Sequence, residues 1–94
     1  MTFLVLAKDG TDPGADARRQ AVRQEHLAGI GPAVKAGSLQ VAGALLDAEG
    51  NMIGSMLVME ADSRQALEDR LQEDIYSRAG VWQSFEIYPF KRAV

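Results

Sequence analysis

Cysteine is absent from the 94-residue sequence, which excludes a disulfide framework, a thiolate metal site and a cysteine nucleophile. Histidine occurs once, as His26. One imidazole is too few for a histidine-rich metal centre, so no metal is expected. Basic residues are in the minority: 10 Lys and Arg against 13 Asp and Glu leave a formal net charge of -3. Binding a polyphosphate requires a concentrated basic face, which argues against a general nucleic-acid binder. The longest apolar runs fall far short of the ~20 residues that cross a bilayer, so no membrane partner is expected. The nine glycines form neither a G-x-G-x-x-G nor a Walker pattern. A nucleotide cradle therefore has no support, and no cofactor is expected.

With 47% hydrophobic and 24% charged residues, the chain has the composition of a folded, soluble protein. Its length fits one domain over residues 1-94, able to bury roughly two-thirds of its unfolded surface. The run Met1-Thr2-Phe3-Leu4-Val5-Leu6-Ala7-Lys8-Asp9 lacks the basic start and small-residue cleavage site of a signal peptide. It reads as a strand of a cytoplasmic protein.

That strand, Thr2 to Lys8, has Phe3, Val5 and Ala7 on one side and Leu4 and Leu6 on the other, so both of its faces need cover. Turn formers follow, Asp12 or Asp16 can cap a helix, and Gly37 stops that helix after Lys35. Pro32, preceded by Gly29 and Gly31, leaves a kink or break in the second half open. Period-two alternation marks strands over Ser38 to Leu46 and Met52 to Glu60, joined by the polar turn 47-51. Asp62-Ser63 starts a second helix, Arg64 to about Asp74, with Ala66, Leu67 and Leu71 as its apolar stripe. A last strand runs from Val81 to Phe90, alternating Trp82, Ser84, Glu86 and Tyr88 against Val81, Gln83, Phe85 and Ile87. The order βαββαβ specifies an α+β fold, a four-stranded antiparallel sheet with two helices on one face. Leu4, Leu6, Met56, Val58, Phe85 and Trp82 leave apolar residues for the second face. A homodimer through stacked sheets is the economical way to cover them.

On a helical wheel of ~100° per residue, Leu27, Ile30 and Val34 form the expected core arc of the first helix. Arg19, Arg23 and His26 fall on the same arc, which is the least expected feature of the chain. Asp74 falls near Leu67 and Leu71 on the second helix, facing inward. Antiparallel helices over the sheet bring it to where it can meet His26. A carboxylate beside an imidazole fixes its tautomer and raises its basicity, as a general acid or base requires. Two arginines suit a ligand carboxylate, phenolate or phosphate. Ser55 and Tyr76 supply hydroxyls that can orient a small anionic or aromatic ligand. The plainer reading keeps His26 as a hydrogen-bonded structural residue with the arginines reaching their charged heads to solvent.

The run Arg19-Gln20-Ala21-Val22-Arg23-Gln24-Glu25-His26-Leu27-Ala28, then Val41-Ala42-Gly43, Gly54-Ser55, Asp74-Ile75-Tyr76, Ala79-Gly80-Val81 and Pro89-Phe90-Lys91 together resemble the YciI-like (YCII-related) family, in order and across nearly the whole chain. The resemblance implies a ferredoxin-like α+β barrel, a dimer, and a histidine and aspartate pair at His26 and Asp74. Most members have no assigned reaction. A related dehydrochlorinase of a chlorinated hydroxyhydroquinone uses such a pair for acid and base chemistry. The implied activity is a cofactor-free lyase or isomerase with His26 and Asp74 catalytic, to which the reading of the residues above adds Arg19, Arg23, Ser55 and Tyr76 as substrate-binding groups. The alternative is a non-catalytic ligand-binding or accessory dimer using the same pocket. Two positions depart from the family: Ile75 follows the aspartate and Ala44 follows Ala42-Gly43, where proline is frequent. The first departure is expected to loosen the aspartate's placement.

Overall fold

Apolar alternation in Thr2–Asp9 builds β1, whose Phe3, Val5 and Ala7 are fully buried on one face. A computed structural model describes residues 1–94. After β1 come α1 (Ala15–Lys35), β2 (Leu39–Leu46), β3 (Met52–Glu60), α2 (Arg64–Glu73), α3 (Ile75–Arg78) and β4 (Trp82–Pro89). The sheet order is β2-β3-β1-β4, with every neighbouring pair antiparallel. Leu57 and Met59 of β3, Leu67 and Leu71 of α2, Tyr76 of α3 and Trp82 pack against Phe3 and Val5 on the helical side. This is a ferredoxin-like α+β fold. No helix is long and apolar enough to cross a membrane.

α1 is one continuous helix through Pro32, not a broken one. Gly31 has no Cβ for the proline ring to strike, so the residue before the proline keeps helical geometry. The helix closes on a Schellman motif. Gly37, at φ 82, donates to Val34 and Ser38 donates to Ala33, satisfying the last carbonyls. Neither Asp12 nor Asp16 caps its start, where Gly14 stands without a side-chain cap. Asp12 instead accepts two hydrogen bonds from Arg18, which hold its carboxyl down at about 2.

The inward seam of α1 also differs from the wheel. It runs through Arg19, Val22, Arg23, His26, Ile30 and Ala33, while Leu27 and Val34 are 40% and 50% exposed. Between the second half of the helix, at Ile30 and Ala33, and the sheet residues Leu39, Leu57 and Met59 lies a cavity. A Cβ at Gly29 would meet nothing within 4 Å. Glycine in a helix interior costs ~0.5–1 kcal/mol relative to alanine, so Gly29→Ala should raise stability by about that amount. A chemical-denaturation midpoint that moves up without a change of slope is the check.

α2 ends one residue earlier than expected, at Glu73. Asp74 turns to extended geometry and caps the four-residue α3, its side chain accepting from the Tyr76 N–H. In β4 a register shift opposite Lys8 and Asp9 puts Trp82 on the same side as Phe85 and Ile87. Trp82 and Phe85 therefore belong to the helical face, and the strict alternation expected for this strand is interrupted. The outer face carries Leu4, Leu6, Met56, Val41 and Tyr88, the last two 42% and 50% exposed. Residues 90 to 94 lie beside Val41, Met56 and Val58 and cover part of that face.

Candidate functional site

His26 projects from the inward seam of α1, and its Nδ1 lies 2.8 Å from Asp74 Oδ1. The same oxygen accepts from the Tyr76 backbone N–H at 2.9 Å. An ionised carboxylate only accepts, so the network assigns the ring proton to Nδ1 and leaves the Nε2 lone pair free as a base. The ring is held on its faces and edges as well. It stacks on Tyr76 at 3.8 Å and 7° and meets Trp82 edge-on at 5.5 Å. Ile75 does not loosen the aspartate, because Asp74 caps α3 and its carboxylate is held by the Tyr76 N–H.

Beneath His26 lies a buried polar network. Arg19, 3% exposed, donates from Nη1 to both Asp9 oxygens at 2.9 Å and from Nη2 to Ser55 Oγ at 2.9 Å. Its guanidinium carbon sits 4.8 Å from the centre of the Tyr76 ring. Trp82 Nε1 donates to the same Ser55 Oγ at 3.1 Å. Gly54 is what lets this strand approach: a Cβ there would meet the Ala7 carbonyl oxygen at 2.5 Å. Arg19 is therefore not the open guanidinium that its position on the helix suggested. Its charge is matched by Asp9, because β1 continues its inward alternation from Phe3, Val5 and Ala7 to residue 9.

Arg23 lines the cavity next to His26 and forms no ion pair with any carboxylate of the chain. Tyr76 is 1% exposed. Burial pushes its hydroxyl above the ordinary phenol range, partly opposed by Arg19 and Arg23, so it keeps its proton near neutrality.

Two cavities flank His26. One of about 180 Å³ is lined by Arg19, Arg23, Ser55 and Tyr76 together with Ala42, Gly43 and Ala44 of β2. The other, about 240 Å³, is walled by Ile30, Leu39, Met59, Leu71 and Trp82, with Asp74 at its edge. Both are below the ~300–1,000 Å³ of sites for drug-sized ligands, so they suit a compact molecule. No group of three or more His, Asp and Glu side chains is placed to hold a metal ion.

All six residues singled out in the sequence thus come together, with Arg19 reassigned to the floor of the site. Asp9 carries no signal of its own in the sequence, standing where the first strand gives way to turn formers while it continues the inward period of β1. Trp82, expected on the second sheet face, instead joins the site through its indole N–H on Ser55.

Comparison with known proteins finds likenesses along nearly the whole chain. Residues 1–91 match the model of the YCII-related domain. Fusaric acid biosynthesis protein 2 of Gibberella fujikuroi is 31% identical over 97 residues, spanning 95% of this chain and 91% of that protein. An uncharacterized protein of Haemophilus influenzae is 31% identical over 98 residues, spanning 98% of each. Among solved structures, 5-chloro-2-hydroxyhydroquinone dehydrochlorinase from Burkholderia phenoliruptrix, in complex with 2,5-dihydroxybenzoquinone, superposes with a TM-score of 0.85. That likeness has 30% identity and covers 99% of this chain and 96% of that one. A family match over nearly every residue, joined to a sheet that carries a histidine and aspartate pair above it, means that the chain belongs to the YCII-related family.

Proposed function

We propose that this protein is a cofactor-free lyase or isomerase acting on a small, oxygen-rich, anionic or aromatic substrate. The observation that carries the reading is the Asp74–His26 pair at 2.8 Å beside the unpaired Arg23 in one cavity. Asp74 keeps the proton on Nδ1, and Nε2 takes a proton from the substrate. In the lyase form the electron pair left behind becomes a new double bond as the leaving anion departs with its bonding pair. In the isomerase form the same proton returns to a different atom. Arg23 holds the anionic oxygen. Support comes from the similar dehydrochlorinase, whose structure holds 2,5-dihydroxybenzoquinone.

The direct test is turnover of chlorinated and hydroxylated quinones and hydroquinones by the parent and by His26→Ala, following substrate loss and release of the leaving anion. Saturable binding without turnover in the parent would turn the reading toward a ligand-binding accessory protein.

The proposal includes a second copy of the chain on the outer sheet face. Leu4, Leu6 and Met56 form an apolar strip that the helices cannot reach, and residues 90 to 94 cover only one side of it. Sedimentation should give twice the chain mass, and Leu6→Lys should give the monomer, because a charge at the centre of such a face is left unpaired. A parent that sediments as a monomer at micromolar concentration removes the dimer from the proposal.

A further inference from the structure

A serine hydroxyl has one hydrogen to give and two lone pairs to fill. Ser55 Oγ receives two donors that can only donate, the Arg19 guanidinium at 2.9 Å and the Trp82 indole N–H at 3.1 Å. Both lone pairs are spent. The hydroxyl's own hydrogen has no acceptor within the protein, although Ser55 is 4% exposed and the one open space it borders is the cavity shared with Arg23, His26 and Tyr76. A buried donor left without a partner is costly, so its open valence is a statement about what enters the cavity.

We infer that Ser55 is the specificity-determining donor of the site, selecting a substrate that presents an oxygen acceptor, a carbonyl, enolate or phenolate oxygen, between Ser55 and Arg23. The inference rests on the function proposed above and narrows its substrate class. Because Ser55 cannot accept, an ammonium or other donor-only group at that position is rejected. Because its lone pairs are occupied and no base takes its proton, it is not a nucleophile, and acyl transfer through Ser55 is excluded. Donation from Arg19 polarises the O–H further, since hydrogen bonds in a chain strengthen one another. As His26 removes a proton, the electron pair moves toward the oxygen held by Ser55 and Arg23, where a preformed donor is most effective.

The probe is 2,5-dihydroxybenzoquinone, with affinity measured by titration calorimetry. Ser55→Ala should weaken binding about 10- to 100-fold, the range for a hydrogen bond to a charged oxygen. Ser55→Cys keeps the shape under Arg19 and Trp82 but offers only a weak donor, and it should weaken binding about 10-fold. Ser55→Thr restores the hydroxyl and should bind within about threefold of the parent, a rescue that a purely structural serine would not give. Melting temperature and the emission of the single tryptophan, Trp82, show whether the floor of the site is intact. If Ser55→Ala is unfolded, Ser55→Cys carries the measurement. Parent-like affinity in Ser55→Cys, with Arg23→Ala and His26→Ala both weakened, overturns the role of Ser55 and leaves the proposed function standing. No saturable binding by the parent at millimolar probe overturns both.

Discussion

Replacing Arg19 with methionine should cost about 3–5 kcal/mol of folding stability, because removing one partner of a buried ion pair leaves the other charged and unpaired. The stranded partner is Asp9, 8% exposed, whose two carboxylate oxygens both accept from Arg19. Ser55 and Tyr76 lose their contacts with the guanidinium at the same time. Arg23→Ala is the comparison. It stands one helical turn away on the same seam, has no ion-pair partner, and should change stability by no more than about 0.5 kcal/mol. Denaturant titration of both variants reads the difference. Asp9→Leu combined with Arg19→Met should recover most of the loss, since a buried pair replaced by apolar side chains is close to neutral. A loss below 1 kcal/mol in Arg19→Met would mean that water reaches the pair, and Arg19 would return to the list of ligand-binding residues.

The same two arginines mark the limit of what the sequence discloses. A helical wheel places Arg19, Arg23 and His26 on one arc, and all three lie on the seam observed. It cannot divide them, because the division depends on Asp9, a residue ten positions earlier on a strand. The clue was present in the alternation Phe3, Val5, Ala7, Asp9, yet a polar residue at the end of an apolar strand also reads as the first residue of a turn. The strand order and the pairing of His26 with Asp74 were legible for a simpler reason. Both follow from the βαββαβ order, which leaves few ways to lay two helices over one sheet, although Asp74 reaches His26 from the cap of α3 and not from α2 itself.

Short elements and irregularities were not legible. α3 has four residues, too few for a period to show, and it exists because Asp74 leaves helical geometry to cap it. The register shift at Lys8 and Asp9 changes which face Trp82 occupies, and nothing local announces it. The arc of α1 was displaced by about one residue for a physical reason. Wheel arguments assume that the apolar residues seek the core, whereas here Leu27 helps to wall a cavity and polar side chains occupy the seam. Failure of the hydrophobic pattern at one helix face is thus itself the sign of the site.

Asp74→Asn should reduce turnover by about 10²–10⁴-fold while leaving the fold in place, the range expected for losing a positioned acid–base group. One oxygen does both jobs: Asp74 Oδ1 accepts from the Tyr76 N–H at 2.9 Å and from His26 Nδ1 at 2.8 Å. Asparagine serves as an N-cap about as well as aspartate, and the two donors keep its amide oxygen turned toward them. α3 should therefore persist, with melting temperature within a few degrees of the parent. What is lost is the negative charge that stabilises the imidazolium formed when Nε2 takes a proton. The nitrogen chemical shifts of the chain's single imidazole report the tautomer directly: the Nδ1–H form should persist in the neutral ring of both the parent and Asp74→Asn, while turnover falls. His26→Ala should lose turnover by at least as much, and Tyr76→Phe, which keeps the stacked ring at 3.8 Å and removes only the hydroxyl, should preserve the tautomer. An Asp74→Asn protein with the parent's tautomer and full turnover would show that the carboxylate is a helix cap and nothing more, and His26 would have to act without it.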